Sequence, residues 1–269
     1  MLIYSLLCCF SLLPIERFQP IDHPTFEEGK PTEQIQVNRR FSKKGNVQTI
    51  LIPSGPFMMG GKGFNEAPPR RIFLDSYFIG KTDVTVAQFK AYCIDKHIDF
   101  SKFEKPMWGW IDNHPMVNIT WQQARDYCKW AGGDLPSEAQ WEKAARGEDG
   151  RIYPWGNKFD RRRLWTSKTD NGQASSTVAV GSFPTGSSPS GCLDMAGNVL
   201  QWCLDWFSVD SYSSQPSRNP HGPKFGGMRV LRCGSLINYD PDNFRCSHRY
   251  YDVPANRNFY TGFRLAAPR

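Results

Sequence analysis

The sequence predicts an α+β fold that is irregular and loop-rich, with a few short helices and short strands. The 23 glycines and 20 prolines among 269 residues interrupt regular structure often. Helix-start signals are confined to residues 85–147, and short runs of β-branched residues elsewhere are bounded by turn residues. Aromatic residues make up 14% of the chain, enough for a substantial core in one domain.

Strands are predicted near the start of the folded region. Residues 47–52 are rich in β-branched side chains, and the Pro-Ser-Gly-Pro sequence at 53–56 predicts a turn. Residues 72–79 predict a second strand. The glycine-rich segment 60–63 lacks the spacing of a phosphate-binding loop and predicts a turn.

Three helices follow, each predicted to begin with a capping box. In such a box a hydroxyl accepts from a backbone N–H that the helix leaves free, and a Gln three residues later reaches back. The pairs are Thr85 with Gln88, Thr120 with Gln123, and Ser137 with Gln140. Glycines at 132–133 and 147 predict the ends of the second and third helices.

Beyond Gly147 no long helical pattern appears, and no repeat of 20–50 residues is present. The predicted organisation is an apolar N-terminal segment at 1–14, a linker or peripheral arm at 15–46, and one domain at 47–269. The first segment is either a signal or anchor, or an ordinary extension, since it lacks a basic start and a small-residue cleavage site. The location is therefore the cell envelope or outside the cell in the first case, and the cytoplasm in the second.

Composition excludes several functional classes. The net charge of +7 is modest, and no basic stripe with interleaved aromatics is present, so nucleic acid is not the expected target. The absence of any 18-residue apolar run excludes a polytopic membrane protein. We expect a monomer that touches a membrane only through an N-terminal anchor, if at all.

A search for catalytic chemistry finds little. The chain lacks nucleophile-elbow, phosphate-loop and kinase signatures, and its five histidines lack metal-ligand spacing. Glu138 and Glu142 predict a solvated helix face. Asp205 predicts an ordinary turn carboxylate, with a helix cap or a cation ligand as the alternatives. The eight cysteines form no CxxC pair, and most lie in apolar contexts that favour buried free thiols.

A series of segments, in this order, resembles the formylglycine-generating enzyme (sulfatase-modifying factor) family. They are Ile52-Pro-Ser-Gly-Pro-Phe-Met-Met-Gly60, Asp83-Val-Thr-Val-Ala-Gln-Phe89, His114-Pro-Met-Val-Asn-Ile-Thr-Trp121, Ala124-Arg-Asp-Tyr-Cys128, Leu135-Pro-Ser-Glu-Ala-Gln-Trp-Glu142, Ala145-Arg-Gly147, Tyr153-Pro-Trp-Gly-Asn157, Met195-Ala-Gly-Asn198, Arg229-Val-Leu-Arg232 and Gly262-Phe-Arg264. The resemblance covers residues 47–269. It implies a C-type-lectin-like fold with short antiparallel strands.

The resemblance also implies what the active site should contain. Active family members oxidise a substrate cysteine with copper held by two cysteines after a Gly-Gly-Ser motif. Here Cys233 replaces the first glycine, Asn238 matches the first copper cysteine, and the second falls near Asn243. Copper(I) prefers thiolates, so copper is not expected.

Other family features are also incomplete. Cys246 and Cys128 match halves of family disulfides, whose partner positions are Ala145 and Leu265 here. The resemblance implies a calcium site at Asn198 and Gln201, weakened because Gln201 replaces a carboxylate. This is the one candidate cofactor site. A second calcium site falls near Arg163 and residues 171–172, where we expect it to be lost.

The segment between Ser235 and Gly262 is rich in Asn, Tyr and Asp, a composition typical of recognition surfaces. The predicted ligand-binding residues are Leu236, Asn238, Tyr239, Asp242, Phe244, His248, Tyr250, Tyr251, Asn256, Asn258 and Tyr260. With its frame, at 229–264, the segment resembles the variable region of diversity-generating retroelement proteins. An ordinary Asn-rich family loop is the alternative.

The sequence therefore predicts a non-catalytic binding protein with a protein or glycan ligand. Two alternatives stay open. One is an oxidoreductase of the same family with an atypical metal site, in which Cys233 or His248 takes part. The other is a structural or maturation factor that acts through protein partners at the cell envelope.

Overall fold

The computed structural model describes residues 39–166 and 176–269. A four-stranded antiparallel sheet joins the beginning and the end of this part of the chain, in the order β1-β2-β5-β10. Its strands are β1 (Arg39–Phe41), β2 (Gln48–Ile52), β5 (Tyr77–Gly80) and β10 (Ala266–Pro268). Strand β1 lies inside the segment predicted as a linker or peripheral arm. The segment at 1–14 lies outside the described residues.

The single strand predicted over residues 72–79 is wrong. The chain forms β3 (Gly55–Met59) and β4 (Arg70–Leu74) as a two-stranded antiparallel hairpin, and β5 begins only at Tyr77 in the first sheet. The break occurs at Asp75, whose backbone N–H donates to Asn219 Oδ1 at 2.9 Å. A side chain thus takes the hydrogen bond that a continuous ladder would use. The turn predicted at residues 53–56 is shorter in the structure and comprises only residues 53–54.

All three predicted helices are present: α1 (Val86–Asp95), α2 (Trp121–Trp130) and α3 (Glu138–Arg146). Each begins with the predicted capping box. At α3, for example, the Gln140 N–H donates to Ser137 Oγ at 3.2 Å, and the Ser137 N–H donates to Gln140 Oε1 at 2.8 Å. Helix α3 ends at Gly147, which has a positive φ of 68° that favours glycine.

The second half of the chain is irregular, as predicted. Its sheet has the order β8-β7-β6-β9, with β6 (Leu200–Trp206), β7 (Arg229–Arg232), β8 (Tyr250–Asp252) and β9 (Thr261–Gly262). Strands β6 and β9 are parallel, and the other pairs are antiparallel. The longest α-helix described after Gly147 is the four-residue α4 (Ser211–Ser214).

The hydrophobic core lies between these layers. Helices α1 and α2 pack aromatic rings on Phe263, and Phe89 stacks on Tyr127 with ring centroids 5.8 Å apart. Trp141 of α3 is fully buried in a second cluster with residues of β3, β4 and β7. Strand β7 is thus held from several sides, which fixes the start of the segment predicted to bind a ligand. Within the described ranges, no helix combines the length and apolarity needed to span a membrane.

Candidate functional site

A buried ionic cluster underlies the C-terminal segment. Arg232, at the end of β7, donates from Nη1 to Glu138 Oε1 at 2.8 Å and from Nη2 to Glu142 Oε2 at 2.7 Å. The side chains of Arg232 and Glu142 are fully buried, and that of Glu138 is nearly so. Glu138 and Glu142 lie one turn apart on α3, so the helix presents both carboxylates to one guanidinium. The solvated helix face predicted for these two residues is therefore wrong.

Arg249, in the middle of the segment, completes this cluster. Its Nε and Nη2 donate to the two oxygens of Glu138 at 2.6 and 2.9 Å. Burial acts to raise the pKa of Glu138, but Arg249 and Arg232 outweigh it, so the pKa lies below its usual value. We name Glu138, Glu142, Arg232 and Arg249 the buried frame. It connects β7 and the chain before β8 to the same helix.

A glycine-rich loop closes over this region. The turn lies at residues 63–66, just after the predicted 60–63: the Glu66 N–H donates to the Gly63 carbonyl at 3.0 Å, and the Gly61 N–H donates to the Glu66 carbonyl at 3.0 Å. A Cβ at Gly61 would lie 2.4 Å from Glu66 Oε2, so the loop packs too closely for a side chain. Arg245 binds both oxygens of the buried Glu66 at 2.7 and 2.9 Å. The loop is thereby attached to the C-terminal segment.

His248 lies beside this ion pair, half-buried, with its ring centroid 4.6 Å from that of Tyr250. Its Nδ1 is 3.6 Å from Glu66 Oε1. Burial lowers the pKa of His248, and Arg245 and Arg232 add to this against the opposing Glu66 and Asp242. The ring is therefore neutral at pH 7 and can accept one hydrogen bond and donate another.

The outer side of the segment carries exposed residues that are apolar, aromatic or polar. We name this set the C-terminal face: Ile237, Tyr239, Asp240, Asp242, Tyr251, Val253, Asn256, Arg257 and Phe259. Tyr239 is 68% exposed, and Tyr251 lies with its ring centroid 4.1 Å from that of Phe207. Large rings that are exposed yet supported from behind are suited to binding another molecule.

Asp252 orders one side of this face. Its Oδ1 accepts from the Val253 N–H at 2.7 Å and from Asn256 Nδ2 at 2.6 Å, and its Oδ2 accepts from Asn258 Nδ2 at 2.7 Å. The side-chain amide nitrogens of both asparagines thus donate within the loop. Asn256 is exposed and Asn258 is half-buried.

A loop from the first half of the chain adjoins the face, which the sequence did not indicate. Trp108 packs against Phe259 in an edge-to-face contact at 5.8 Å, and the neighbouring Met107 is 84% exposed. The Asn118 N–H donates to the Asn258 carbonyl at 3.1 Å, which fixes the loop's base to the segment. An apolar Met-Trp pair between Pro106 and Gly109 was the available signal.

The structure corrects two of the predicted ligand-binding residues. Leu236 and Phe244 are fully buried, because the segment turns inward at both points, so neither side chain can reach a ligand. Tyr239, Asp242, Tyr251 and Asn256 are exposed, as a ligand surface requires. Half-buried positions complete the predicted set: Asn238, His248, Tyr250, Asn258 and Tyr260.

Comparison with known proteins identifies the family. Residues 34–268 match the sulfatase-modifying factor enzyme 1-like domain. The chain belongs to this family. The resemblance read from the motifs is thus confirmed, and so is the C-type-lectin-like fold that it implied.

Curated relatives of two kinds are similar to this family member. A formylglycine-generating enzyme of Streptomyces coelicolor is 31% identical over 84% of this chain and 90% of its own length. The serine/threonine-protein kinase pkn1 of Chlamydia caviae is 34% identical over 92% of this chain. The chain spans only 41% of that kinase's length.

Two solved structures share the fold. PvdO from Pseudomonas aeruginosa superposes with a TM-score of 0.74 at 22% identity, over 86% of this chain and 98% of its own. Treponema denticola variable protein 1 superposes with a TM-score of 0.68 at 21% identity, over the same shares of both chains.

The positions that match the family's copper cysteines do not fit copper. Asn238 accepts through Oδ1 from the Ser235 N–H at 2.8 Å and from Ser235 Oγ at 3.0 Å. This amide stabilises a turn, and neither it nor Asn243 supplies the thiolate that copper(I) prefers. Cys233 is buried and directs its Sγ to the Gly197 carbonyl at 3.3 Å.

The predicted calcium position does not fit its ion either. Gln201 Oε1 accepts from Arg264 Nε at 2.6 Å and from Trp141 Nε1 at 2.7 Å. A cation at this oxygen would be repelled by the positive charge of the Arg264 guanidinium. Asn198 Oδ1 accepts from the Val178 N–H at 3.1 Å. The described residues hold no group of three His, Cys, Asp or Glu placed for a metal. The second calcium position includes residues 171–172, which lie outside the described residues.

The cysteines that the structure describes are buried thiols. Six of them are free and buried: Cys93, Cys128, Cys192, Cys203, Cys233 and Cys246. The prediction of buried free thiols is confirmed for these six; Cys8 and Cys9 lie outside the described residues. Burial raises the pKa of Cys246 to about 12, and raises that of Cys233 well above its usual value. Neither forms a thiolate at neutral pH.

Asp205 is buried within β6, so the expected turn carboxylate is wrong. Its Oδ2 accepts from the Glu138 N–H at 2.8 Å, and this carboxylate therefore caps the start of α3. Capping was the alternative suggested by the sequence. Burial raises the pKa of Asp205 to about 7, and the nearby Glu138 carboxylate adds to the effect.

Proposed function

We propose that the chain is a non-catalytic, ligand-binding member of its family and that the C-terminal face is the surface that binds. One observation carries the proposal. Asparagines occupy the positions of the copper cysteines, and Asn238 uses its side chain to hold a turn. The surrounding segment nevertheless keeps a rigid support and exposes aromatic and polar groups.

The support favours recognition because it fixes the backbone before a ligand arrives. Arg232 attaches the strand that leads into the segment to Glu138, while Arg249 and Arg245 attach its middle to Glu138 and Glu66. A preorganised surface loses less conformational entropy on binding than a mobile one. Tyrosine adds contact area at low entropic cost, and Asn and Asp add adaptable hydrogen bonds. This combination suits a protein or glycan ligand.

The same arrangement supports diversification of residues 229–264. Exposed positions such as Ile237 and Val253 lie outside the buried core, so changes there should be tolerated. The variable protein of Treponema denticola has the same fold. The test is the neighbouring DNA: a reverse transcriptase with a near-copy of the segment encoding residues 229–264 would support diversification. Finding neither would leave an ordinary loop region.

A paired experiment tests the absence of catalysis. Protein loaded with copper(I) is incubated with oxygen and a cysteine-containing peptide, and peptide oxidation is followed by mass spectrometry. We expect no turnover by the natural chain. The double variant Asn238→Cys/Asn243→Cys tests whether copper binding returns with the thiolates. Oxidation of the peptide by the natural chain would overturn the proposal.

Binding is tested by capture from arrays of glycans and of surface proteins. Tyr239→Ser and Tyr251→Ser should each reduce capture at least fivefold, because each removes an aromatic contact from the face. Phe225→Ser is the matched control, since Phe225 is 86% exposed but lies outside the face. Equal capture by all three variants would show that the face does not bind.

An oxidoreductase with an atypical site is the second candidate. The similarity to the Streptomyces enzyme over 90% of that enzyme's length favours it, as does the half-exposed, neutral His248. This candidate requires a stoichiometric metal in the purified protein and an oxidase activity that is lost in Cys233→Ser or His248→Ala. Metal-free protein without such activity would eliminate it.

A further inference from the structure

A separate groove borders the C-terminal segment and consists largely of framework residues. It encloses about 470 Å³ and is lined by Thr120, Trp121, Gln122, Trp206, Arg229, Pro254 and Ala255. Only the last two belong to the segment between Ser235 and Gly262. A volume of this size is within the range of ligand pockets.

Arg229 is the central group of the groove. Its guanidinium carbon lies 3.4 Å from the ring centroid of Trp206 and 3.7 Å from that of Trp121, so two indole rings hold the charge. Nη1 donates to the Leu204 carbonyl at 2.6 Å. Within the described ranges Nε is buried without an acceptor, and no carboxylate forms a salt bridge with this arginine. A guanidinium has five N–H donors, and most of these are unused.

The charge of Arg229 persists at neutral pH. Burial lowers its pKa to about 10, and the neighbouring Arg125 adds to this effect. Arg125 lies 5.2 Å from the ring centroid of Trp121 and pairs with Asp134. The nearby Asp205 carboxylate is directed to the Glu138 N–H. The carboxylates around the groove are thus already engaged with other groups.

The first turn of α2 adds a donor on the same side. The Trp121 N–H donates to the Pro254 carbonyl at 3.0 Å, and the Gln123 N–H donates to Thr120 Oγ1 at 3.2 Å. The Gln122 N–H, between them, has no acceptor in the described part of the chain. Backbone N–H groups of a first turn point out of the helix start, where negative charge is favoured.

We propose that this groove binds a carboxylate side chain of an acidic peptide segment. Nη2 of Arg229 and the Gln122 N–H supply one donor for each oxygen of a carboxylate, and the single guanidinium charge balances a carboxylate but not a phosphate dianion. Pro254 and Ala255 provide an apolar wall for the rest of the peptide. The site does not depend on the C-terminal face, so it can bind even if the face has no ligand.

The test uses two synthetic peptides, acetyl-Pro-Glu-Glu-Pro-amide and its Gln-for-Glu counterpart, with inorganic phosphate as a third probe. Binding is followed through the indole N–H signals of Trp121 and Trp206 in NMR titrations. We expect the Glu peptide to shift both signals and to bind roughly tenfold more tightly than the Gln peptide, because charged hydrogen bonds are lost in the latter. Its affinity should fall with added salt.

Substitutions in the groove test whether the Glu peptide binds there. Arg229→Met retains a stem between the indoles but removes the charge, and should weaken the Glu peptide at least tenfold. Since Arg229 also supports packing, Ala255→Glu gives a second test: it places a competing carboxylate on the exposed rim and should weaken binding similarly. Ala255→Gln is its matched control and should leave affinity within twofold. Three results would overturn the proposal. They are equal affinity for both peptides, unchanged binding in folded Arg229→Met or Ala255→Glu, and binding of inorganic phosphate but of neither peptide.

Discussion

The buried frame and the C-terminal face come from overlapping parts of the chain, but the side chains of the first are buried and those of the second are exposed. Arg232 and Arg249 are almost completely enclosed and each binds a carboxylate of α3. Tyr239 and Tyr251, within the same stretch, are exposed and rest on the surface. The segment can therefore be rigid without being intolerant of change. The contacts of the frame are made by buried residues that lie away from the exposed face.

The largest effect should come from breaking the frame. Glu138→Ala removes the carboxylate that receives both Arg232 and Arg249, so the buried Arg249 loses its carboxylate partner and Arg232 keeps only Glu142. We expect a loss of about 3–5 kcal/mol in the free energy of unfolding. Urea denaturation measures it.

The matched control is Glu148→Ala. Glu148 is 58% exposed and lies 3.6 Å from Lys143 Nζ, so its loss should cost no more than about 1 kcal/mol. If both variants lost equal stability, the frame would not be the support described here.

Two consecutive residues allow a direct comparison between a buried and an exposed side chain of the segment. Leu236 is fully buried, whereas Ile237 is 40% exposed. Leu236→Ala should lower the free energy of unfolding by about 3 kcal/mol, because it leaves a cavity. Ile237→Ala should change it by less than about 0.5 kcal/mol. Thermal unfolding of the two variants, side by side, checks the difference; similar losses would place both residues in the core.

Local signals and buried partners differ in how far sequence could predict them. The capping boxes at Thr85, Thr120 and Ser137 were predictable, since hydroxyl and amide three residues apart satisfy each other without distant help. The family motifs gave the fold. The roles of Glu138 and Glu142 were not predictable, because Arg232 and Arg249 lie 90 to 111 residues away along the chain. The burial of Leu236 and Phe244 was not predictable either. They belong to a segment whose composition suits a surface, but the backbone turns inward at both positions.

The pKa values of Asp205, which caps α3, and of Glu138 in the buried frame are shifted in opposite directions. Burial raises the folded-state pKa of Asp205 to about 7, whereas an unfolded aspartate titrates near 3.9. The native state therefore holds more protons than the unfolded state between about pH 4 and 7, and this group's contribution to stability is lost as the pH rises through that window. Glu138 has a lowered pKa and acts in the opposite sense, at more acidic pH.

Asp205→Asn isolates the contribution of the cap. The amide oxygen can still accept from the Glu138 N–H, but the group no longer titrates. Any fixed cost of the substitution is independent of pH, so the stability of the variant relative to the natural chain should rise from pH 4 to 7. The gain is at most about 1.4 kcal/mol per pH unit. A difference that stays constant across the window would mean that Asp205 is ionised throughout.

The smallest effect should arise on the face itself. Asp252→Ala removes three hydrogen bonds to Val253, Asn256 and Asn258, all within one exposed loop. We expect about 1 kcal/mol or less of lost stability, since none of these bonds belongs to the buried frame. Amide hydrogen exchange at Val253 should nevertheless accelerate, because its N–H loses its acceptor. Asp242→Ala provides the control: it removes an exposed carboxylate of the same face and should leave exchange at Val253 unchanged. If Asp252→Ala instead accelerated exchange in β7, the face and the frame would be one cooperative unit rather than two.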